Sequence, residues 1–138
     1  MKITNKRARA DYILHGRVEA GISLTGQEAS AIAKGRIDLS RAYAKIIGRE
    51  AFLINALVPE VKEPKRTRKL LLHKSQLLSL ETKIKQQKLT LIPLSIYTKR
   101  RLIKLELALA KTRQKHEKKE ALKQRDIERE TRLELKNY

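Results

Sequence analysis

Residues 65–74 read KRTRKLLLHK, so four cations stand at the threshold of three leucines. Arg66, Arg68 and Lys69 surround Thr67. Guanidinium forks match the oxygens of a phosphate two at a time, so the chemistry this spacing offers is anion binding. A solvated loop leading into a buried strand would account for the same letters. The charge of the whole chain decides for phosphate contacts by the arginines, with Leu70, Leu71 and Leu72 expected in the core either way.

That charge is large. The 138 residues hold 33 Lys and Arg against 15 Asp and Glu, a formal net charge of +18. Self-repulsion on this scale opposes a compact state unless a polyanion is usually close by. Nucleic acid is the leading partner, because neutralised phosphates release counterions. A membrane surface would need a helix with a broad apolar face, and no segment supplies one. No stretch is apolar enough to span a bilayer. The start, MKITNKRARADY, has no apolar run after its charges and is not expected to act as a secretory signal. The expectation is a cytoplasmic, monomeric protein that stays off membranes.

Catalysis finds no home in the pattern. Cysteine is absent, and the histidines at 15, 73 and 116 stand far apart. There is no glycine-rich phosphate loop, no HExxH and no close carboxylate pair in the central segments. The chain is read as a non-enzyme without metal or cofactor.

The elements that must carry the basic threshold come next. Val18, Ala20, Ile22 and Leu24 alternate with polar or small residues, as in a strand. TGQE at 25–28 fits a capping box, with Thr25 as N-cap and Glu28 reaching back, and spacing alone assigns Glu28 no more than this. Gly35 is placed to end that helix. Residues 42–47 and 50–58 form a hairpin around Gly48, with Phe52, Ile54, Ala56 and Val58 on one face. A second helix runs over 75–87 with Leu77, Leu80 and Ile84 on its stripe. Strands 89–98 and 102–109 follow. Ile103, Leu105, Leu107 and Leu109 should face inward and Lys104, Glu106 and Ala108 outward, while Pro93 marks a bulge or an edge.

Five short strands and two short helices imply a mainly β fold, a small closed barrel of the oligonucleotide-binding type, or else an open α+β sandwich. Residues 1–110 would form this RNA-binding domain. Residues 111–138 form a basic tail with ten Lys and Arg against six Asp and Glu, too sparse in apolar residues for a core. It is expected to be disordered alone and helical when held. Aromatics are 4% of the chain, so base stacking cannot dominate, and recognition must rest on shape and phosphates, as for folded RNA.

NKRARADY (5–12), EAGISLTGQE (19–28), RTRKLLLHK (66–74), LTLIPLSIY (89–97) and KLELALAK (104–111) together resemble the SsrA-binding protein family, or small protein B. The blocks occur in the family's order along essentially the whole chain. The resemblance implies an oligonucleotide-binding fold that holds the tRNA-like domain of transfer-messenger RNA and delivers it to stalled bacterial ribosomes. It implies RNA-binding roles for Arg7, Arg9, Tyr12, Glu28, Leu71, His73, Lys74, Lys111 and Arg113, beside Arg66, Arg68 and Lys69. It also implies that the tail enters the empty mRNA channel, with His116, Glu117, Lys118 and Lys119 at the decoding centre against small-subunit rRNA. Several positions depart from the family pattern. Ser30 and Ala33 stand where basic residues are usual, Ala10 replaces a histidine, the loop at 59–64 is short, and Thr112 replaces a glycine. Glu117, Lys118 and Lys119 stand for the family's Asp-Lys-Arg. Two other readings carry the same charge: a ribosomal or other structured-RNA protein without a rescue role, and a basic binder of duplex DNA.

Overall fold

Period-two alternation dominates the chain, and strands dominate the fold. The computed structural model describes residues 1–113. In order these form β1 (Lys2–Thr4), α1 (Ala8–Asp11), β2 (Tyr12–Ile22), α2 (Gly26–Ala33), β3 (Tyr43–Ile47), β4 (Glu50–Ile54), β5 (Arg68–Leu71), α3 (Lys74–Gln87), β6 (Thr90–Lys99) and β7 (Leu102–Thr112). All pairings are antiparallel. The order β6-β3-β4-β5-β2-β7 returns to β6 through the β6–β7 hairpin, so the strands close into a ring. β1 is appended to β6 beyond β3. Closure leaves few free strand edges, which suits a domain with this little chain. Among the described residues no helix is long and apolar enough to cross a membrane.

The mainly β class with short helices is as expected, but β1, α1 and β5 come in addition to the five strands and two helices expected, β5 forming on the leucine segment. β1 is three residues long, and α1 is a single turn, too short for any period to show. α1 covers a second, smaller apolar cluster of Ala8, Ile92, Ala108 and Ala110, with Tyr12, Leu14 and Leu94 packed against it. Ala108 therefore turns out buried rather than outward. The main core lies inside the ring and includes Leu53, Leu70, Leu91, Ile96, Leu105 and Leu107. α3 adds Leu80, with Leu77 and Ile84 half-buried beside it, as its stripe predicts.

Phe52, Ile54, Ala56 and Val58 do not share one face as expected. Ala51 and Leu53 point inward while Phe52 and Ile54 are half-buried. Asn55, at φ 63, then breaks the alternation, and Ala56 and Val58 become buried in the opposite parity. A positive φ is well tolerated by asparagine, which is why the switch falls there. Pro93 sits at a register shift in the β6–β7 ladder, the expected bulge. The backbone around it is fixed by Asn5, whose Nδ2 donates to Pro93 O at 2.9 Å and to Leu39 O at 3.2 Å.

Candidate nucleic-acid interface

Helix α2 opens with the predicted box. Thr25 Oγ1 accepts from Glu28 N at 3.2 Å, and Glu28 Oε1 accepts from Thr25 N at 2.9 Å. The helix closes on Gly35, whose φ of +81 a side chain would strain. Gly35 N donates to Ile32 O and Arg36 N to Ala31 O, the paired bonds of a Schellman end. A helix pinned at both ends holds Glu28 in place.

Glu28 does more than cap. It is 2% exposed, and both of its oxygens receive arginine. Arg66 clasps it with two bonds, Nη2 to Oε1 at 2.5 Å and Nε to Oε2 at 3.2 Å. Arg68 Nε donates to Oε2 at 2.5 Å, and its Nη1 and Nη2 donate to Ala56 O at 3.0 Å and Pro64 O at 3.3 Å. Burial alone would raise the Glu28 pKa, but the Arg66 bond, the Thr25 N–H and Arg68 outweigh it and hold the carboxyl at about 2. The carboxylate is thus charged near neutral pH, and it ties α2, β5 and the loop at 56–66 into one unit.

This geometry revises the expectation for Arg68. Strand β5 alternates buried and exposed from its first residue, so Arg68 and Leu70 share the inner face. The Arg68 side chain is 0% exposed and its fork is filled by protein acceptors, which leaves it no path to a phosphate. It is an internal strut. Arg66 sits at the rim, 32% exposed, with Nη1 making no hydrogen bond among the described residues. The same alternation exposes Leu71 at 54%, against the expectation that all three leucines are core. Leu71 lies against Gly21 of β2, where a Cβ would stand 3.2 Å from Leu71 Cβ, so the glycine makes room for it.

Lys69 is exposed and pairs with Glu50 at 3.2 Å. His73 is the N-cap of α3, its backbone N–H accepted by Gln76 Oε1 at 3.0 Å, and Lys74 follows as the first helical residue, exposed. Glu28, Arg66, Lys69, Leu71, His73 and Lys74 therefore gather along α2, β5 and the start of α3. A second group lies elsewhere. Arg113 donates its backbone N–H to Asp11 O at 3.0 Å and its Nε to Arg9 O at 3.2 Å, beside Tyr12, which pairs with Thr112. Lys111 is exposed next to it. Tyr12 and Gly21 of β2 mark the two groups, which strand rise separates by up to roughly 30 Å. Arg7 belongs to neither. It shares a cleft of about 410 Å³ with Arg41 and with Lys65 of the basic threshold, neither of which the sequence reading gives an RNA-binding role. Only the fold brings these distant loop residues beside Arg7, and no local pattern announces it. His116, Glu117, Lys118 and Lys119 lie outside the described residues.

A further cluster was also missed. Tyr97 donates its hydroxyl to Glu19 Oε2, and Lys99 and Lys104 stand 3.4 and 3.6 Å from Glu19 Oε1. Burial and the Glu19 contact push the Tyr97 hydroxyl up to about 12. Among the described residues, no three His, Asp or Glu side chains gather into a metal-binding group.

The chain as a whole is similar to known proteins over nearly all of its length. A family model described as SmpB protein matches residues 2–137. The chain belongs to the SmpB family. Curated SmpB relatives named SsrA-binding protein cover it almost end to end. That of Trichormus variabilis is 41% identical over 142 residues, 97% of this chain and 92% of the relative. That of Ureaplasma parvum serovar 3 is 39% identical, covering 96% and 99%. That of Rhodopseudomonas palustris (strain HaA2) is 45% identical, covering 91% and 85%. A solved chain described as "tmRNA-SmpB: a journey to the center of the bacterial ribosome" superposes with a TM-score of 0.70 at 36% identity, over 88% of this chain and 94% of that one.

Proposed function

We infer that this chain binds the tRNA-like domain of transfer-messenger RNA and delivers it to bacterial ribosomes stalled on messages without a stop codon. Rescue then follows, with tagging of the nascent peptide. The observation that carries this is the SmpB match over residues 2–137, joined to a fold that superposes on an SmpB chain. The physical argument agrees with it. Few aromatics and many exposed cations suit recognition of a folded RNA by shape and phosphate contact rather than by stacking.

Each group of residues has a part in this reading. Arg66 and Lys69 meet phosphates at the rim, Leu71 and His73 lie against the same RNA, and Glu28 with Arg68 fixes the surface from within. Arg7, Arg9, Tyr12, Lys74, Lys111 and Arg113 extend the basic surface. Residues 112–138 enter the empty mRNA channel, with His116, Glu117, Lys118 and Lys119 near the decoding centre. The protein works in the cytoplasm as a monomer and performs no catalysis itself.

The test is the RNA that co-purifies with the protein from its native cell. Transfer-messenger RNA is expected, while ribosomal RNA without it would favour a structured-RNA protein with no rescue role. Replacing Lys118 and Lys119 with Ala should leave binding of free RNA nearly intact and abolish tagging. Full tagging by that variant would remove the tail from the decoding centre.

A further inference from the structure

Backbone positions with positive φ usually fall to glycine or asparagine, because a Cβ there crowds the neighbouring carbonyl. Among the described residues, five others than glycine occupy such positions: Arg49, Asn55, Lys88, Arg100 and Arg101. Four are basic. Two of those are adjacent and close the β6–β7 hairpin, Arg100 at φ 50 and Arg101 at φ 66, between the paired residues Lys99 and Leu102. A two-residue turn with both φ positive is type I′, and its favoured sequence is Asn-Gly.

An arginine pair thus sits where local preference opposes it. No contact of either side chain offsets that among the described residues. Both side chains are exposed, and neither has an ion pair or hydrogen bond among the described residues. Lys99 and Lys104 nearby are different, since both engage Glu19. Strain held without a structural return points to a ligand that supplies one.

Register places this tip beside the candidate interface. Gly21 of β2 lies between Leu71 of β5 and Lys104 of β7. Arg101 precedes Lys104 by three residues, roughly 10 Å at strand rise. On the other side of the same β2 end, Ser23 N donates to Lys69 O at 2.9 Å and Ser23 O accepts from Arg66 Nη2 at 3.5 Å. The free arginine tip and the Arg66–Lys69 rim therefore flank one strand end.

We propose that the β6–β7 tip is a second phosphate clamp, with Arg100 and Arg101 gripping the backbone of the same folded RNA that meets Arg66 and Lys69. Two anchors on either side of β2 would recognise the spacing of phosphates across a folded RNA, which one anchor cannot. This rests on the reading that the chain binds a tRNA-like RNA.

The experiment replaces the tip of the full chain with the turn's own preferred residues, Arg100→Asn with Arg101→Gly. The variant should melt at a higher temperature than the natural chain, because the turn is relieved. Its affinity for the tRNA-like domain at fixed salt should nonetheless fall about tenfold, and the salt slope should become shallower by roughly one unit for each phosphate no longer neutralised. A companion variant, Arg100→Lys with Arg101→Lys, keeps the charge and should keep most of the slope. Unchanged affinity and slope in the Asn-Gly variant, while the natural chain binds the RNA, would overturn the clamp and leave the function standing. Failure of the natural chain to bind the RNA would overturn both.

Discussion

Glu28 and Glu19 each collect two basic side chains and one further donor, at different depths. Glu28 takes Arg66, Arg68 and the Thr25 N–H at 2% side-chain exposure. Glu19 takes Lys99, Lys104 and the Tyr97 hydroxyl at 35%. The Glu28–Arg68 pair of the first group is cut off from water, so solvent cannot replace either partner and the geometry is enforced. The second is bathed in water and salt, where lysine pairs contribute little. The same types of residue therefore yield a structural keystone in one place and an adaptable surface in the other. In a protein with a net charge of +18, fixing a few cations firmly decides which of the many form a site.

The largest effect expected follows from breaking the buried group. Glu28→Ala leaves Arg68 charged, enclosed and unpaired, which should cost about 3–5 kcal/mol in a denaturant titration. Glu28→Gln should fare little better, although glutamine would serve a capping box. Replacing both partners together, Glu28→Leu with Arg68→Met, should recover much of the loss. A near-silent Glu28→Gln would return the residue to a simple cap.

Acid probes the same group without mutation. The folded carboxyl lies at about 2 against 4.5 for its ordinary value, so its contribution is fully present above about pH 4.5. It is lost as the pH falls toward 2, and amounts to something on the order of 3 kcal/mol. Stability measured across that window should fall for the natural chain. It should fall less for the Glu28→Leu/Arg68→Met pair.

The sequence made the capping box, the turn glycines and most strands legible, because each is written within a few neighbouring residues. Thr25 and Glu28 are three apart, and both hydrogen bonds of the box are present. The burial of Arg68 was not legible. Its partners are Glu28, Ala56 and Pro64, which only the folded ring brings within reach of one guanidinium. Phosphate contacts were expected of both Arg66 and Arg68, but β5 begins at Arg68 and turns its side chain inward. Leu71 failed for the same reason of parity. The β4 face was lost at Asn55, where a single backbone angle reverses the alternation.

Smaller effects sharpen the contrast at the rim and the surface. Arg66→Gln removes a partly exposed partner of Glu28 and should cost about 1 kcal/mol of stability, read from a thermal melt. Glu19→Gln should leave the melting midpoint indistinguishable from the natural chain. A large loss there would show that the surface cluster is a second keystone.

The most direct test of the account is the salt dependence of binding to the tRNA-like domain, compared between the natural chain and Arg66→Gln with folding verified for both. If the buried carboxylate exists to set a phosphate-facing rim, Arg66→Gln should weaken binding and flatten the slope of log affinity against log salt by about one unit. At the same salt the natural chain should prefer the tRNA-like domain over unfolded RNA and duplex DNA. Equal slopes for the two proteins, with no preference among the three nucleic acids, would contradict it.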